Sequence, residues 1–343
     1  MWIYVLLPAA FIASFLLTGL IRRLALAWAV VDVPGARSAH EAAIPVGGGV
    51  AIVSVFFAGV AIGYWQGQIP LSEYMALLGG LLVAVLGLAD DIKHLPAWYR
   101  IPVQFLSAVW CVFWLGEVPP IQAGPFMVDH GLLLHILAVM ALVWLLNLYN
   151  FMDGIDGIAA SEVIFVTLMS LLFVINAGDS TLSLSAGILA VAAAGFLCWN
   201  WPPAKIFMGD AGSSFIGFTL GVFALLSMIH GTMTVWTWLL LLGVFVVDAT
   251  VTLFRRALNK QRWYEGHASH AYQHAAKRYK SHSKVTITML LINILWLTPL
   301  AWVTVIRPEL GMYVTLVGLL PLVLLAILLE AGKSPELSDK ALV

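Results

Sequence analysis

Eleven runs of about 17 to 25 mostly apolar residues, at 2–21, 48–65, 71–89, 101–116, 132–149, 158–176, 182–199, 211–229, 235–254, 285–305 and 311–330, fill most of this 343-residue chain. Wound as a helix, a run of that length matches the hydrocarbon core of a bilayer. With 62% hydrophobic residues, 10% charged residues and a mean hydropathy of +0.97, the chain lies well outside the range of soluble globular proteins. The sequence predicts an all-α integral membrane protein with about eleven transmembrane helices.

If all eleven runs cross, 16 of the 17 Lys and Arg residues fall in connections on one side and Arg307 alone on the other. By the positive-inside rule the crowded side is cytoplasmic, which puts the N-terminus outside and the C-terminus inside. Residues 2–21 lack a basic segment before them and a small-residue cleavage site after them, so they are expected to stay as an anchor rather than be removed. Cys111 and Cys198 each lie inside an apolar run, and no disulfide is expected. The outer connections are short and bland apart from 117–131, which has room for a small hairpin. No linker is long enough to divide the chain, so 1–331 is taken as one polytopic domain and 332–343 as a cytoplasmic tail. No nucleic-acid partner is expected.

The polar residues gather on the basic side. Arg37 and His40 precede Gly47, Gly48 and Gly49 and could reach an anion near the membrane surface. Asp90 and Asp91 end the third run, with Lys93 and Arg100 beyond; adjacent carboxylates repel and are disfavoured at a helix C-terminus, so a metal site or a base is expected there. Asn150-Phe-Met-Asp153-Gly-Ile-Asp156-Gly157 joins two apolar runs, where an amide, two carboxylates and two glycines would be costly unless something bound them; simple capping of the following helix is the plainer alternative. Lys205-Ile-Phe-Met-Gly209-Asp210-Ala-Gly212-Ser213-Ser214 follows Asn200-Trp-Pro202-Pro203 and opens another apolar run. A helix start with glycine and hydroxyls suits phosphate, and a carboxylate there suits Mg²⁺. His267, His270 and His274, if helical, would share one face and could hold Zn²⁺ or phosphate oxygens. Oxygen ligands, few thiols and many cations favour a Mg²⁺ and diphosphate site at the bilayer edge, with a lipid phosphate as one substrate.

Asp90-Asp91, the Asn150–Gly157 stretch, Ile206-Phe-Met-Gly-Asp-Ala-Gly-Ser and the histidine-rich loop occur in an order that resembles the polyprenyl-phosphate N-acetylhexosamine-1-phosphate transferases, relatives of the phospho-muramoyl-pentapeptide translocase. The resemblance spans 37–282 and is nearest the branch that starts O-antigen or related surface glycans. It implies transfer of a HexNAc-1-phosphate from a UDP-N-acetylhexosamine to undecaprenyl phosphate with release of UMP, at the cytoplasmic face of the cell inner membrane. Mg²⁺, with Mn²⁺ as a substitute, is the implied cofactor. Asn150 and Asp210 would hold it, and Asp90 would be the catalytic carboxylate, supported by Asp91. Asp156, with Asp153 near it, would lie toward the uracil, and His267, His270 and His274 toward the phosphates or sugar. Arg37, Lys93 and Arg100 are candidates for the acceptor phosphate, and a second copy of the chain is a candidate partner. The alternative is a secondary transporter of an anionic substrate, to which Asp248, deeper in the ninth run, is the best-suited acid.

Overall fold

The computed structural model describes residues 2–32, 43–175, 179–261 and 267–333. Every apolar run is helical: α1 (Ile3–Ala27), α2 (Gly49–Trp65), α3 (Leu71–Lys93), α4 (Ala97–Leu115), α5 (Gly131–Phe151), α6 (Ile158–Val174), α7 (Ser180–Asn200), α8 (Asp210–Ile229), α9 (Val235–Leu241) with α10 (Gly243–Leu258), then α11 (Ala271–Tyr279), α12 (His282–Ile292), α13 (Thr298–Ile306) and α14 (Gly311–Leu328). Among the described residues seven helical segments, with α12 to α13 counted as one (His282–Ile306), are long and apolar enough to cross a membrane, or eight with the bent α9–α10 pair taken as one span. The short α2 and α6 have 17 residues each and bury much of their surface against neighbours. The 117–131 connection does form a hairpin, β3 (Ile121–Ala123) against β4 (Phe126–Val128), and a two-residue ribbon pairs β1 (Val31–Asp32) with β2 (Ile44–Pro45).

α8 is the axis of the bundle, packed against α2, α3 and α5. Small residues make this possible, because helices in lipid associate by close backbone contact rather than by a hydrophobic drive. A Cβ on Gly217 would meet Leu145 O at 2.6 Å and Tyr149 Cβ at 2.7 Å, and one on Gly49 would overlap Gly212. Around this axis α1, α4, α5 and α14 turn bulky apolar residues outward, among them Phe113 at 75% and Leu328 at 74% exposure. Such a surface is suited to lipid.

The ninth run breaks where one straight helix was expected. α9 and α10 meet at 83° around Leu242. Gly243 at the elbow leaves room for Leu297 and Leu319, which a Cβ would meet at 3.0 and 2.8 Å. The tenth run is also irregular, with a π turn at Asn293–Leu297 between α12 and α13. There Asn293 donates to the buried Glu162 of α6 at 2.6 Å.

At the end of α8 remote from Asp210, His230 knits three helices. Its Nδ1 lies 2.8 Å from Asp179 before α7, and its Nε2 lies 3.1 Å from Glu73 in α3. Partial burial alone would lower the His230 pKa, but the hydrogen bond and charge of Asp179, and then Glu73, outweigh it and raise the value above 6.5. A raised imidazole pKa stabilises the fold fully below the unfolded value and loses that contribution as pH rises through the folded one. Melting in detergent is therefore expected to drop between pH 6 and pH 9 by roughly 2 °C more in the native chain than in His230→Gln; parallel pH profiles would exclude this role.

Candidate active site

The chemistry-bearing residues converge at the opposite end of the bundle, around a cavity of about 1070 Å³. Four segments supply them. The last turn of α3 carries Asp90 and Asp91, the first turn of α4 carries Arg100, the end of α5 with residues 152–157 carries Asn150, Asp153 and Asp156, and residues 201–209 lead into α8. Both connections end on a glycine with positive φ, Gly157 at 77° and Gly209 at 78°, which lets the chain turn sharply into the next helix.

The two connections are braided. Asn200 accepts from Gly157 N at 2.9 Å and donates to Ile206 O at 3.0 Å, while Asp156 Oδ2 accepts from Ala204 N at 3.0 Å. Glycines at the start of α2 also staple the site: Gly48 N and Gly49 N donate to Phe207 O and Met208 O, both at 2.9 Å.

The Asp90-Asp91 pair divides its labour. Asp91 accepts from Asp210 N at 2.7 Å and Ala211 N at 3.2 Å, so it caps α8 from a neighbouring helix. Asp90 accepts from Leu95 N at 2.6 Å and pairs with Arg100, whose guanidinium also lies 3.4 Å from Asp210. Asn150 donates to Asp210 Oδ1 at 2.8 Å and to Ser213 Oγ at 3.0 Å. Asp90, Arg100, Asn150 and Asp210 thus form one array, as their separate motifs suggest. Asp153 opens onto the same cavity; burial first, then the fields of Asp210, Asp91 and Asp156, push its carboxyl well above the ordinary range.

α8 reaches this array only because Gly87 has no side chain. A Cβ there would sit 2.5 Å from the Asp210 carbonyl and Ala211 N, which are backbone atoms. Gly87→Ala is expected to push Asp210 off its Asp91 cap and to lower turnover about 10²-fold, the usual cost of a displacement near 1 Å. Turnover within twofold of the native chain would show that the array tolerates the shift.

The histidines are arranged differently from one shared helix face. α11 begins only at Ala271, so His270 is its N-cap and His267 lies outside it, stacked on His270 at 5.0 Å. None of His267, His270 and His274 lines the cavity, nor does Lys93, and Arg37 and His40 lie outside the described residues. His270 instead stacks on Phe151 at 6.3 Å, and the Tyr272 hydroxyl donates to Phe151 O at 2.9 Å. Asp248 holds this segment down: it accepts from Ala271 N (2.9 Å), Tyr272 N (2.8 Å) and Thr252 Oγ1 (3.1 Å), and its Oδ1 lies 3.2 Å from His270 Nδ1. The acid that best suited a transport pathway is a latch. Cavity residues with no role assigned from sequence include Asp32, His94, Asn200, Phe207, Gln273 and His282. Asn200 had a signal in its place before Trp201-Pro202-Pro203, whereas His282 stands alone at a helix start.

Six carboxylates, Asp32, Asp90, Asp91, Asp153, Asp156 and Asp210, line the cavity, against one Arg or Lys side chain, Arg100, among the described residues. A diphosphate would be repelled from such a lining without a further cation: at an effective dielectric of 20, like charges 4 Å apart cost about 4 kcal/mol. No three His, Cys, Asp or Glu among the described residues converge into a closed metal cage. Asn150 turns its amide nitrogen toward Asp210, so it is the open carboxylate lining, Asp210 included, that fits Mg²⁺, an ion that keeps one or two protein ligands and takes the rest from phosphates and water.

Fold and cavity together define a polytopic membrane protein built around an acidic cavity at one end of a helical bundle. The sequence model of glycosyl transferase family 4 matches residues 74–228. A probable undecaprenyl-phosphate N-acetylglucosaminyl 1-phosphate transferase from Bacillus subtilis is 30% identical over 300 residues, covering 84% of this chain and 82% of its own length. A phospho-N-acetylmuramoyl-pentapeptide-transferase from Lacticaseibacillus paracasei is 27% identical over 226 residues, 60% of this chain and 66% of the relative. One of the same name from Paenarthrobacter aurescens is 59% identical over 46 residues, 13% and 12% of the two chains. The chain belongs to glycosyl transferase family 4, the family of polyprenyl-phosphate N-acetylhexosamine-1-phosphate transferases that its motifs resemble.

Proposed function

We propose that this protein transfers an N-acetylhexosamine-1-phosphate from its UDP-sugar to undecaprenyl phosphate and releases UMP, the step that starts O-antigen or a related surface glycan. The observation that carries this is the joining of Asp90, Arg100, Asn150 and Asp210 into one array at the cavity floor. A lipid phosphate oxygen attacks the β-phosphorus of the donor, the bond from that phosphorus to the UMP oxygen breaks, UMP leaves with the α-phosphate, and the lipid's phosphate and the donor's β-phosphate together link lipid and sugar. Asp90, held by Leu95 N–H and Arg100, faces the incoming phosphate, and Arg100 bridges toward Asp210 where charge builds. Asn150 and Asp210 hold Mg²⁺, which supplies charge neutralisation of the diphosphate, and Asp156 contacts the donor nucleoside.

An apolar groove of about 510 Å³ between α10, α12 and α14, with Lys284 among its residues, suits the acceptor's hydrocarbon chain. The charge asymmetry of the connections supports eleven crossings with the N-terminus out, the C-terminus in, and the site cytoplasmic in the inner membrane.

Purified protein in detergent is expected to release UMP from one or more UDP-N-acetylhexosamines only when undecaprenyl phosphate and Mg²⁺ are both present, and the best donor identifies the sugar. UMP release that ignores the lipid, or no release from any donor, refutes this function.

A further inference from the structure

His282 opens α12, yet it meets Asp156, which lies before α6. Its Nδ1 faces two groups of Asp156 and serves one at a time: with a proton on Nδ1 it donates to Asp156 Oδ1 at 3.3 Å, and in the other tautomer it accepts from the Asp156 N–H at 3.4 Å. One turn along α12, Thr286 Oγ1 lies 3.5 Å from Asp156 O, and on the other flank Ala204 N–H holds Oδ2. The carboxylate is therefore gripped from the loop before α8 and from α12, and the Asp156 side chain is only 11% exposed. Both side chains line the main cavity.

Carboxylate torsions are soft, so an Asp in a cavity crowded with other carboxylates would swing away from them unless held. We propose that His282 is a positioning residue that sets nucleobase specificity: by fixing Asp156, it keeps one carboxylate oxygen aimed as an acceptor at the edge of the donor's base. This rests on the transferase function proposed above. An acceptor held in place rewards a base that presents a ring N–H at that edge, as uracil does. It penalises cytosine, whose ring nitrogen there carries a lone pair. A site built to hydrogen-bond one partner rejects the analogue lacking it because a buried polar group is left unpaired.

The test is competition of UMP and CMP against the donor in detergent-solubilised full-length protein, with folding checked by gel filtration and melting. His282→Ala is expected to weaken UMP by about tenfold, the worth of one hydrogen bond to a charged group, with CMP changed much less. His282→Asn, whose amide nitrogen falls near the position of Nδ1, is expected to restore most of the preference; His282→Gln, which reaches the position of Nε2, is not. A purely structural role would not separate Asn from Gln. An unchanged UMP-to-CMP ratio in His282→Ala, or equal behaviour of the Asn and Gln variants, overturns the inference while leaving the transferase function standing. A native chain that binds UMP but turns over no donor overturns the transferase function itself.

Discussion

Asp210→Ala is expected to abolish Mg²⁺-dependent UMP release, lowering turnover by on the order of 10³-fold or more. Asp210 is where three lines of the site cross: its carboxylate accepts from Asn150, faces Arg100, and rides on a helix end capped by Asp91. Removing it deletes the one charged member of the Asn150–Asp210 pair and frees Arg100 to pair with Asp90 alone. The fold should tolerate the change, because one carboxylate fewer relieves repulsion in a lining that carries six. Lost turnover with an equal or higher melting temperature is the expected pair of results. Native-like turnover would remove Asp210 from the metal assignment.

Asp90→Asn is expected to cost about 10²- to 10⁴-fold in kcat while donor KM stays near the native value. Asn keeps the shape and can still accept from Leu95 N–H, so α3 and the following turn should hold their places. What it loses is the charge paired with Arg100 and any capacity to take a proton or form a bond to phosphorus. Single-turnover measurement with radiolabelled donor would separate chemistry from release, and an unchanged kcat would end the catalytic assignment. Asp91→Asn should behave differently: its carboxylate is spent on two backbone N–H groups, so its loss should appear in melting temperature and in KM as α8 loosens.

Much of this was legible in the sequence because bilayer-spanning helices must be long, apolar and self-satisfied, and because polar residues at their ends stand out. Asp90, Asn150, Asp153, Asp156 and Asp210 were visible for that reason. What was not legible is directional. Adjacent residues on a helix point about 100° apart, so Asp90 and Asp91 face different neighbours, and no property of the pair says which one caps α8. Hydropathy sums residues and ignores the path of the chain, so the elbow at Leu242 is invisible within a continuous apolar run. The spacing of His267, His270 and His274 assumed a helix that in fact starts only at Ala271. Asp248 and His282 act on partners 22 to 126 residues away, a distance over which spacing carries no information.

The elbow has a kinetic consequence. With α10 turned aside at 83° and the apolar groove running along it, the acceptor chain proposed for that groove would enter from the plane of the bilayer without leaving it. Its supply is then a two-dimensional search, governed by crowding within the membrane rather than by bulk molarity. Diluting the acceptor with inert detergent or lipid at fixed total acceptor concentration should slow the reaction as much as removing the same fraction of the acceptor would.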